Sequence, residues 1–217
     1  MTSNKEDYLK TIYDEGGYDT YVSNKVIAEK LGVAPPSVSE MLSKLQHDGL
    51  IEYRAYHGSK LTEKGLASCI GVVRSHELWE VFLIEHLGFT WWEAHEEAHR
   101  LEHVASKKLV DKLDEFLGHP QTCPHGSLIP DEDNPVPNRV SHLSKMSDMD
   151  IGEEAVIAKM TEDRKLLDYL ERSGIKLGKV IKIVSKDEYE GPIAFEQEGV
   201  PITISHKAAT QIFVKSK

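Results

Sequence analysis

NKVIAEKLGVAPPSVSEMLSKLQHDGLIEYRAYHGSKLTEKG, residues 24–65, decides the fold. Ser23 precedes NKVIAEKL as a side-chain acceptor for its first N–H groups, and Gly32 marks the end of that helix. After the short turn Gly32-Val33-Ala34, a further helix opens on Pro35-Pro36, where the missing proline N–H costs nothing, and stops at Gly49. Val38, Met41, Leu42 and Leu45 recur at helical spacing and form its buried stripe. IEYRAYHGSKLTEKG then alternates around His57-Gly58 as a two-stranded hairpin. Ahead of the stretch, Tyr8, Leu9, Ile12 and Tyr13 give a first helix an apolar side, and Gly16-Gly17 stops it. Helix, helix, tight turn, helix, hairpin is the order of a winged helix-turn-helix, which sets the third helix in the DNA major groove and the hairpin beside the backbone. Pro36, Ser37, Ser39, Glu40 and Lys44 lie on the exposed side of that helix. Glu40 suits a cytosine amino group, and Lys44, Arg54 and Lys60 suit phosphates. A three-helix scaffold with an ornamental hairpin, or a solvated helix face, would carry the same residues. Net charge does not separate the readings, because residues 24–64 hold six Lys or Arg against five acids.

Downstream, the segment Trp92 to Ser106 reads as a helix carrying His95, His99, Glu102 and His103 at i, i+4, i+7 and i+8, one stripe of imidazoles and a carboxylate. His76 and Glu80 stand one helix upstream. A single pair of histidines four apart is weak, and a stripe of His and Glu is often only a solvated face. Here Ala94, Ala98, Leu101 and Ala105 run beside the stripe at the same spacing, so it borders the core. Seven carboxylates between Glu77 and Glu102 face a single Arg100, an excess that repels itself unless a cation sits within it. The combination points to a divalent-metal site. Farther on, Cys123-Pro124-His125-Gly126 brings a thiol and an imidazole two residues apart.

The chain has 217 residues, 40% of them hydrophobic, enough for a sizeable core split into two or three small domains. Apolar runs such as Val81 to Ile84 are too short to span a bilayer, and MTSNKEDYLK has no apolar signal segment, so a cytoplasmic protein without membrane contact is expected. Two cysteines, Cys69 and Cys123, make no disulfide framework. A net charge of −10 argues against nonspecific coating of nucleic acid while permitting a local DNA-reading surface. ELWEVFLIEHL, residues 77–87, is apolar nearly all round, which predicts burial in a subunit interface and hence a homodimer. His119 to Asp150 carries five prolines and reads as a structured loop grading into a linker. From Ile151 onward, AVIAKM, VIKIVSK, PIAFEQE and PITIS are short strands and RKLLDYLERSG is a helix, a small β-barrel unit.

EDYLK at 6–10, the winged helix, SHELWE at 75–80, HEEAHRLEHV at 95–104, CPHG at 123–126 and the C-terminal β-unit together resemble the diphtheria toxin repressor family of metal-dependent transcriptional repressors. The similarity covers essentially the whole chain and is nearest to the manganese-responsive three-domain branch. It implies a mainly α fold with small β parts: a winged helix-turn-helix DNA-binding domain at 1–65, a helical dimerisation and metal-binding domain at 66–140, and a small SH3-like (FeoA-like) domain at 148–217. It implies no enzyme but a homodimer that binds a palindromic operator of metal-uptake genes when loaded with Mn(II), or alternatively Fe(II), at two sites per subunit. The primary site would take Asp7, His99, Glu102 and His103. An ancillary site would draw on His76, Glu80 and His95 and, in the manganese-type branch, on Glu80, Cys123, His125 and an acidic residue of the third domain, here Glu162.

Two positions, His99 and Lys10, depart from the family, and Asp7 differs from its iron sensors. His99 stands where iron sensors carry cysteine and manganese sensors glutamate. Lys10 replaces a glutamate of the two-domain manganese sensors, which argues against their paired-metal arrangement. Asp7 replaces the methionine of iron sensors with a hard oxygen. Hard oxygens suit Mn(II), whereas an imidazole at 99 shifts the preference toward Fe(II), Co(II) or Zn(II). A helical-bundle metalloenzyme would need two related ExxH helices and no winged unit, and a winged-helix regulator of a small organic ligand would leave the carboxylate and imidazole stripe without a reason. His47, His57, His86 and His206 read as plain surface or core histidines.

Overall fold

Capping and turn residues set the first elements of the computed structural model, which describes residues 2–131, 133–136 and 143–216. Helix α1 spans Ser3–Asp14, α2 Asn24–Leu31 and α3 Pro35–His47. The Ser23 hydroxyl accepts from the Val26 N–H, and α2 ends on Gly32, as the sequence predicts. Strands β1, Ile51–Arg54, and β2, Gly58–Leu61, form the antiparallel wing, with Glu52 opposite Lys60 and Arg54 opposite Gly58. Leu9, Ile12, Ile27, Val38, Leu42 and Leu45 are buried in a single cluster beneath these elements. Each such side chain contributes about 1.5–3 kcal/mol when fully buried. Met41 is only half-buried at the edge of that cluster.

The wing is fastened to the segment ahead of α2. Val22 and Ser59 exchange two backbone hydrogen bonds, of 2.8 and 2.9 Å. Gly58 makes this approach possible: its φ is +108°, and a Cβ there would stand 2.0 Å from the Val22 carbonyl oxygen.

Helix α4 spans Glu63–Leu87, α5 Trp91–Leu101 and α6 Lys107–Phe116. The expected helix from Trp92 to Ser106 is therefore shorter. The Val104 and Ala105 N–H groups both turn back to the Leu101 carbonyl at 3.1 Å, which closes α5, and Ser106 caps α6 by accepting from the Leu109 N–H. Glu102 and His103 consequently lie on the closing turn. Part of the apolar segment in α4 is buried within the single chain: Leu78, Val81 and Leu83 are buried, Trp79, Phe82 and Ile84 are half-buried, and Leu87 is exposed.

The C-terminal elements are β3 (Ser144–Lys145), β4 (Glu154–Met160), α7 (Arg164–Arg172), β5 (Val180–Lys186), β6 (Ile193–Gln197), β7 (Val200–Ile204), α8 (His206–Ala209) and β8 (Ile212–Ser216). The strands form one antiparallel sheet in the order β3-β8-β4-β5-β6-β7. Register shifts at Ile157/Lys159 and Ile183/Ser185 are the irregularities that bend such a sheet. Met146, Ile157, Met160, Leu167, Ile181 and Phe195 fill its core. The helix at 164–172 and the strands at 154, 180, 193 and 200 follow the sequence pattern, whereas α8 and β8 were not anticipated by it.

Chain contacts group the protein into two compact units, 1–79 with 98–118 and 129–138, and 80–97 with 119–128 and 139–217. No described helix is long and apolar enough to cross a membrane.

Candidate metal centres

The first cluster belongs to the first unit and is built around one carboxylate. Glu102 follows the last turn of α5, and its side chain is 0% exposed. Its Oε1 lies 2.9 Å from His99 Nδ1 and 3.2 Å from His103 Nε2. Its Oε2 lies 2.5 Å from His76 Nδ1 and 3.5 Å from Lys10 Nζ. Burial alone would push the Glu102 carboxyl up, but hydrogen bonds from His76 and His99 and the charge of Lys10 outweigh it and hold the group well below the usual carboxylate range.

Helix α1 supplies the other side. Tyr8, Leu9 and Ile12 turn inward to the core, while Glu6, Asp7 and Lys10 approach the closing turn of α5. Glu6 Oε2 lies 2.8 Å from His103 Nδ1, and Asp7 Oδ1 lies 2.8 Å from His103 Nε2. The second pair is informative. Asp7 Oδ1 and His103 Nε2 are buried side-chain atoms, and neither makes a hydrogen bond despite their closeness. In the His103 tautomer whose Nδ1 proton points at Glu6, Nε2 presents a lone pair toward the Asp7 oxygen. Two facing acceptors without a hydrogen between them are what a cation would satisfy, so the residues fit a divalent metal. One ligand atom from each of Asp7, His99, Glu102 and His103 lies within 4.8 Å of the others. His99 is 54% exposed, and a cavity of 880 Å³ bordered by Glu6, Glu102 and His103 opens beside the cluster.

The second cluster lies in the second unit. Glu80 is fully buried and bridges two imidazoles: Oε1 is 2.9 Å from His95 Nδ1, and Oε2 is 2.9 Å from His125 Nδ1. The His125 N–H donates to Cys123 Sγ at 3.4 Å. Ligand atoms of Glu80, Cys123 and His125 lie within 4.8 Å of one another, and the Glu162 carboxylate reaches Cys123 Sγ within the same limit while accepting from Ser127 at 3.4 Å. His76 belongs to the first unit, where its Nδ1 lies 2.5 Å from Glu102 Oε2.

A tight loop carries Cys123 and His125. The Gly126 N–H donates to the Cys123 carbonyl, the Cys123 N–H to Ser127, and the Met160 N–H of β4 to the His125 carbonyl. Gly126 has φ +86°, and a Cβ there would stand 2.0 Å from the Ala158 carbonyl oxygen of β4. Trp91 packs edge-on against His125 with ring centroids 6.2 Å apart, and Trp92 lies 5.1 Å from His95.

The DNA-facing residues of the sequence reading are spread over α3 and the wing. Pro36, Ser37, Ser39, Glu40 and Lys44 are exposed, and Lys60 is half-buried. Glu40 and Lys44 form an ion pair at 2.7 Å on successive turns, so each is engaged by the other in the free protein. Arg54 stacks over the Tyr21 ring at 4.6 Å, while the Tyr21 hydroxyl donates to Glu52. At the end of α3, Asp48 holds Lys5 of α1 at 2.5 Å.

Sequence reasoning passed over Glu6 of the first cluster and took Lys10 only as a departure from the two-domain manganese sensors, not as a neighbour of Glu102. The signal was present in EDYLK, since positions 6 and 10 share a helix face and flank Asp7.

Comparison with known proteins covers nearly the whole chain. Residues 1–59 match the profile of the iron-dependent repressor N-terminal DNA-binding domain, residues 62–131 that of the iron-dependent repressor metal-binding and dimerisation domain, and residues 145–216 that of the FeoA domain. The iron-dependent repressor IdeR of Mycobacterium tuberculosis H37Rv is 38% identical over 130 residues, 60% of this chain and 56% of that protein. The match therefore spans only a little over half the length of that relative. Among solved structures, a manganese-dependent transcriptional repressor in complex with manganese superposes with a TM-score of 0.86 at 32% identity, over 98% of this chain and 99% of the other. The manganese regulator SloR superposes with a TM-score of 0.78 at 37% identity over the full length of both.

Proposed function

The chain belongs to the diphtheria toxin repressor family of iron- and manganese-dependent repressors, and from that premise we propose that it is a Mn(II)-responsive transcriptional repressor acting as a homodimer on a palindromic operator of metal-uptake genes. Its segments 1–65, 66–140 and 148–217 serve as DNA-binding, dimerisation and metal-binding, and SH3-like domains. One observation carries the reading: the buried, unbonded Asp7 Oδ1 and His103 Nε2 face each other, one on α1 of the DNA-reading unit and the other on the turn that closes α5.

Asp7, His99, Glu102 and His103 hold the primary ion, and Glu80, His95, Cys123, His125 and Glu162 hold the ancillary one, with His76 fixing Glu102. A bound divalent ion supplies the positive charge that lets these carboxylates stay together. Glu6 orients the His103 ring through Nδ1 and leaves Nε2 as the ligand atom. Asp7 draws α1 toward α5, and α1 in turn holds Asp48 behind α3 through Lys5. The half-sites are met when α3 of each protomer is held at the operator spacing, and metal favours DNA binding by its preference for that state. On α3, Pro36, Ser37, Ser39 and Glu40 face bases, while Lys44, Arg54 and Lys60 face phosphates. The imidazole of His99 favours a second reading, with Fe(II) as the physiological ion in place of Mn(II).

The test is a titration of metal-free protein against labelled candidate promoters at controlled free Mn(II), Fe(II), Zn(II) and Co(II). Tight promoter binding that needs micromolar metal is expected, at the lowest concentration for Mn(II). Equal binding with and without metal refutes the switch, and a lower threshold for Fe(II) selects the second reading.

A further inference from the structure

We infer that Lys10 is a tethered counter-cation that matches the primary cluster to one divalent ion and sets how tightly that ion is held; the inference rests on reading this cluster as a metal site. The two oxygens of Glu102 are divided between two tasks. Oε1 faces His99 and His103, on the side where Asp7 Oδ1 also lies, whereas Oε2 faces His76 and Lys10. The ammonium thus lies on the Oε2 side of Glu102, while the oxygen that faces His99 and His103 is Oε1. Its side chain is 12% exposed, and a lysine so far out of water persists only where carboxylates compensate its charge.

Charge counting gives the consequence. Glu6, Asp7 and Glu102 bring three negative charges, Lys10 brings one positive charge, and imidazoles acting as ligands are neutral. The remainder, two negative charges, equals one divalent ion. Without Lys10 the same hollow would carry an excess of one negative charge after loading. It would then hold its ion more tightly and release it at lower free metal, which would move the response threshold. A unit charge a few ångströms from a divalent ion is worth about tenfold in affinity or more, even in a water-like dielectric.

A purely structural lysine makes the opposite prediction. If Lys10 were a strut that holds Glu102 in place, its removal would loosen the cluster and weaken metal binding. The sign of the effect therefore separates the two roles.

The experiment uses the full-length protein with His125→Ala to silence the second cluster, and reads Mn(II) affinity by calorimetry and Mn(II) per subunit by equilibrium dialysis with electron paramagnetic resonance. Lys10→Met and Lys10→Gln should each bind Mn(II) about tenfold more tightly than this parent, and Lys10→Arg within threefold of it, with one ion per subunit in the parent. Unchanged or weaker binding in both neutral variants, or more than one ion in the parent, overturns the role assigned to Lys10 and leaves the metal site standing. A parent that binds no Mn(II), or binds it as well after Glu102→Gln, overturns the site and this inference with it.

Discussion

Replacing Gly126 by alanine should silence the second metal cluster without touching any ligand. The backbone there has φ +86°, which costs an L-residue about 1–2 kcal/mol. Sterics are the larger obstacle. The new Cβ would stand 2.0 Å from the Ala158 carbonyl oxygen and 2.9 Å from the Lys159 Cα, both backbone atoms of β4 that cannot swing aside. The loop must lift by more than an ångström. The hydrogen bond from the Met160 N–H to the His125 carbonyl breaks, and His125 and Cys123 leave Glu80. Metal sites tolerate ligand displacements of only about 0.2 Å, so the expected loss in affinity at this cluster is about 100-fold or more. The primary cluster draws its residues from the other unit and should keep its affinity within threefold. The assay is calorimetric titration of Mn(II) into metal-free protein, with the bound ion counted after desalting. Two ions per subunit should become one, and retention of both at wild-type affinity would refute the account of the loop and the assignment of His125 and Cys123 as ligands.

Other outcomes follow from the same geometry. Glu6→Ala removes the group that orients His103 and should weaken Mn(II) binding at the primary cluster by about 10–100-fold with an unchanged circular dichroism spectrum; an unchanged affinity would remove Glu6 from the site. Gly58→Ala drives a Cβ into the Val22 carbonyl, so it should detach the wing and lower affinity for operator and random DNA alike in fluorescence anisotropy; full binding would mean that the wing is not held by this contact. Glu40→Ala should relax base preference at one operator position by about 1–3 kcal/mol, while Lys60→Ala should weaken all sequences equally and reduce the salt slope by about one. Equal loss on all DNA for both variants would contradict the assignment of α3 as the reading helix. Metal-free protein should sediment as a dimer at micromolar concentration, and a monomer that metal does not convert would count against the homodimer.

Local signals made the DNA-reading unit legible: Ser23 before α2, Gly32 after it, prolines at the start of α3 and His57-Gly58 in the wing are each a chemical requirement of one backbone position. The candidate clusters were legible because helix periodicity aligns His95 and His99 without knowledge of the fold. Where α5 ends was not, since closure depends on two N–H groups returning to Leu101, and no residue type marks that. Glu6, and the contact of Lys10 with Glu102, escaped because they need the third dimension: both residues meet side chains more than ninety residues away in the chain. The mutual pairing of Glu40 and Lys44 is equally invisible in a reading that gives each of them a DNA partner. In ELWEVFLIEHL the pattern reported apolar surface correctly but not what covers it, and part of the cover comes from the same chain.

Helix α1 places its inner residues in the core of the DNA-reading unit, its outer carboxylates on His103, and Lys5 on Asp48 behind α3. Sensor and reader therefore do not form exchangeable modules. Cutting the chain after the wing would part Glu6 and Asp7 from His103, and grafting the winged helix onto another effector domain would discard the same contacts. A change at Asp7 or Lys10 would fall on a helix that also packs Tyr8, Leu9 and Ile12 into the core of the DNA-reading unit, which confines substitution to side chains that this packing accepts.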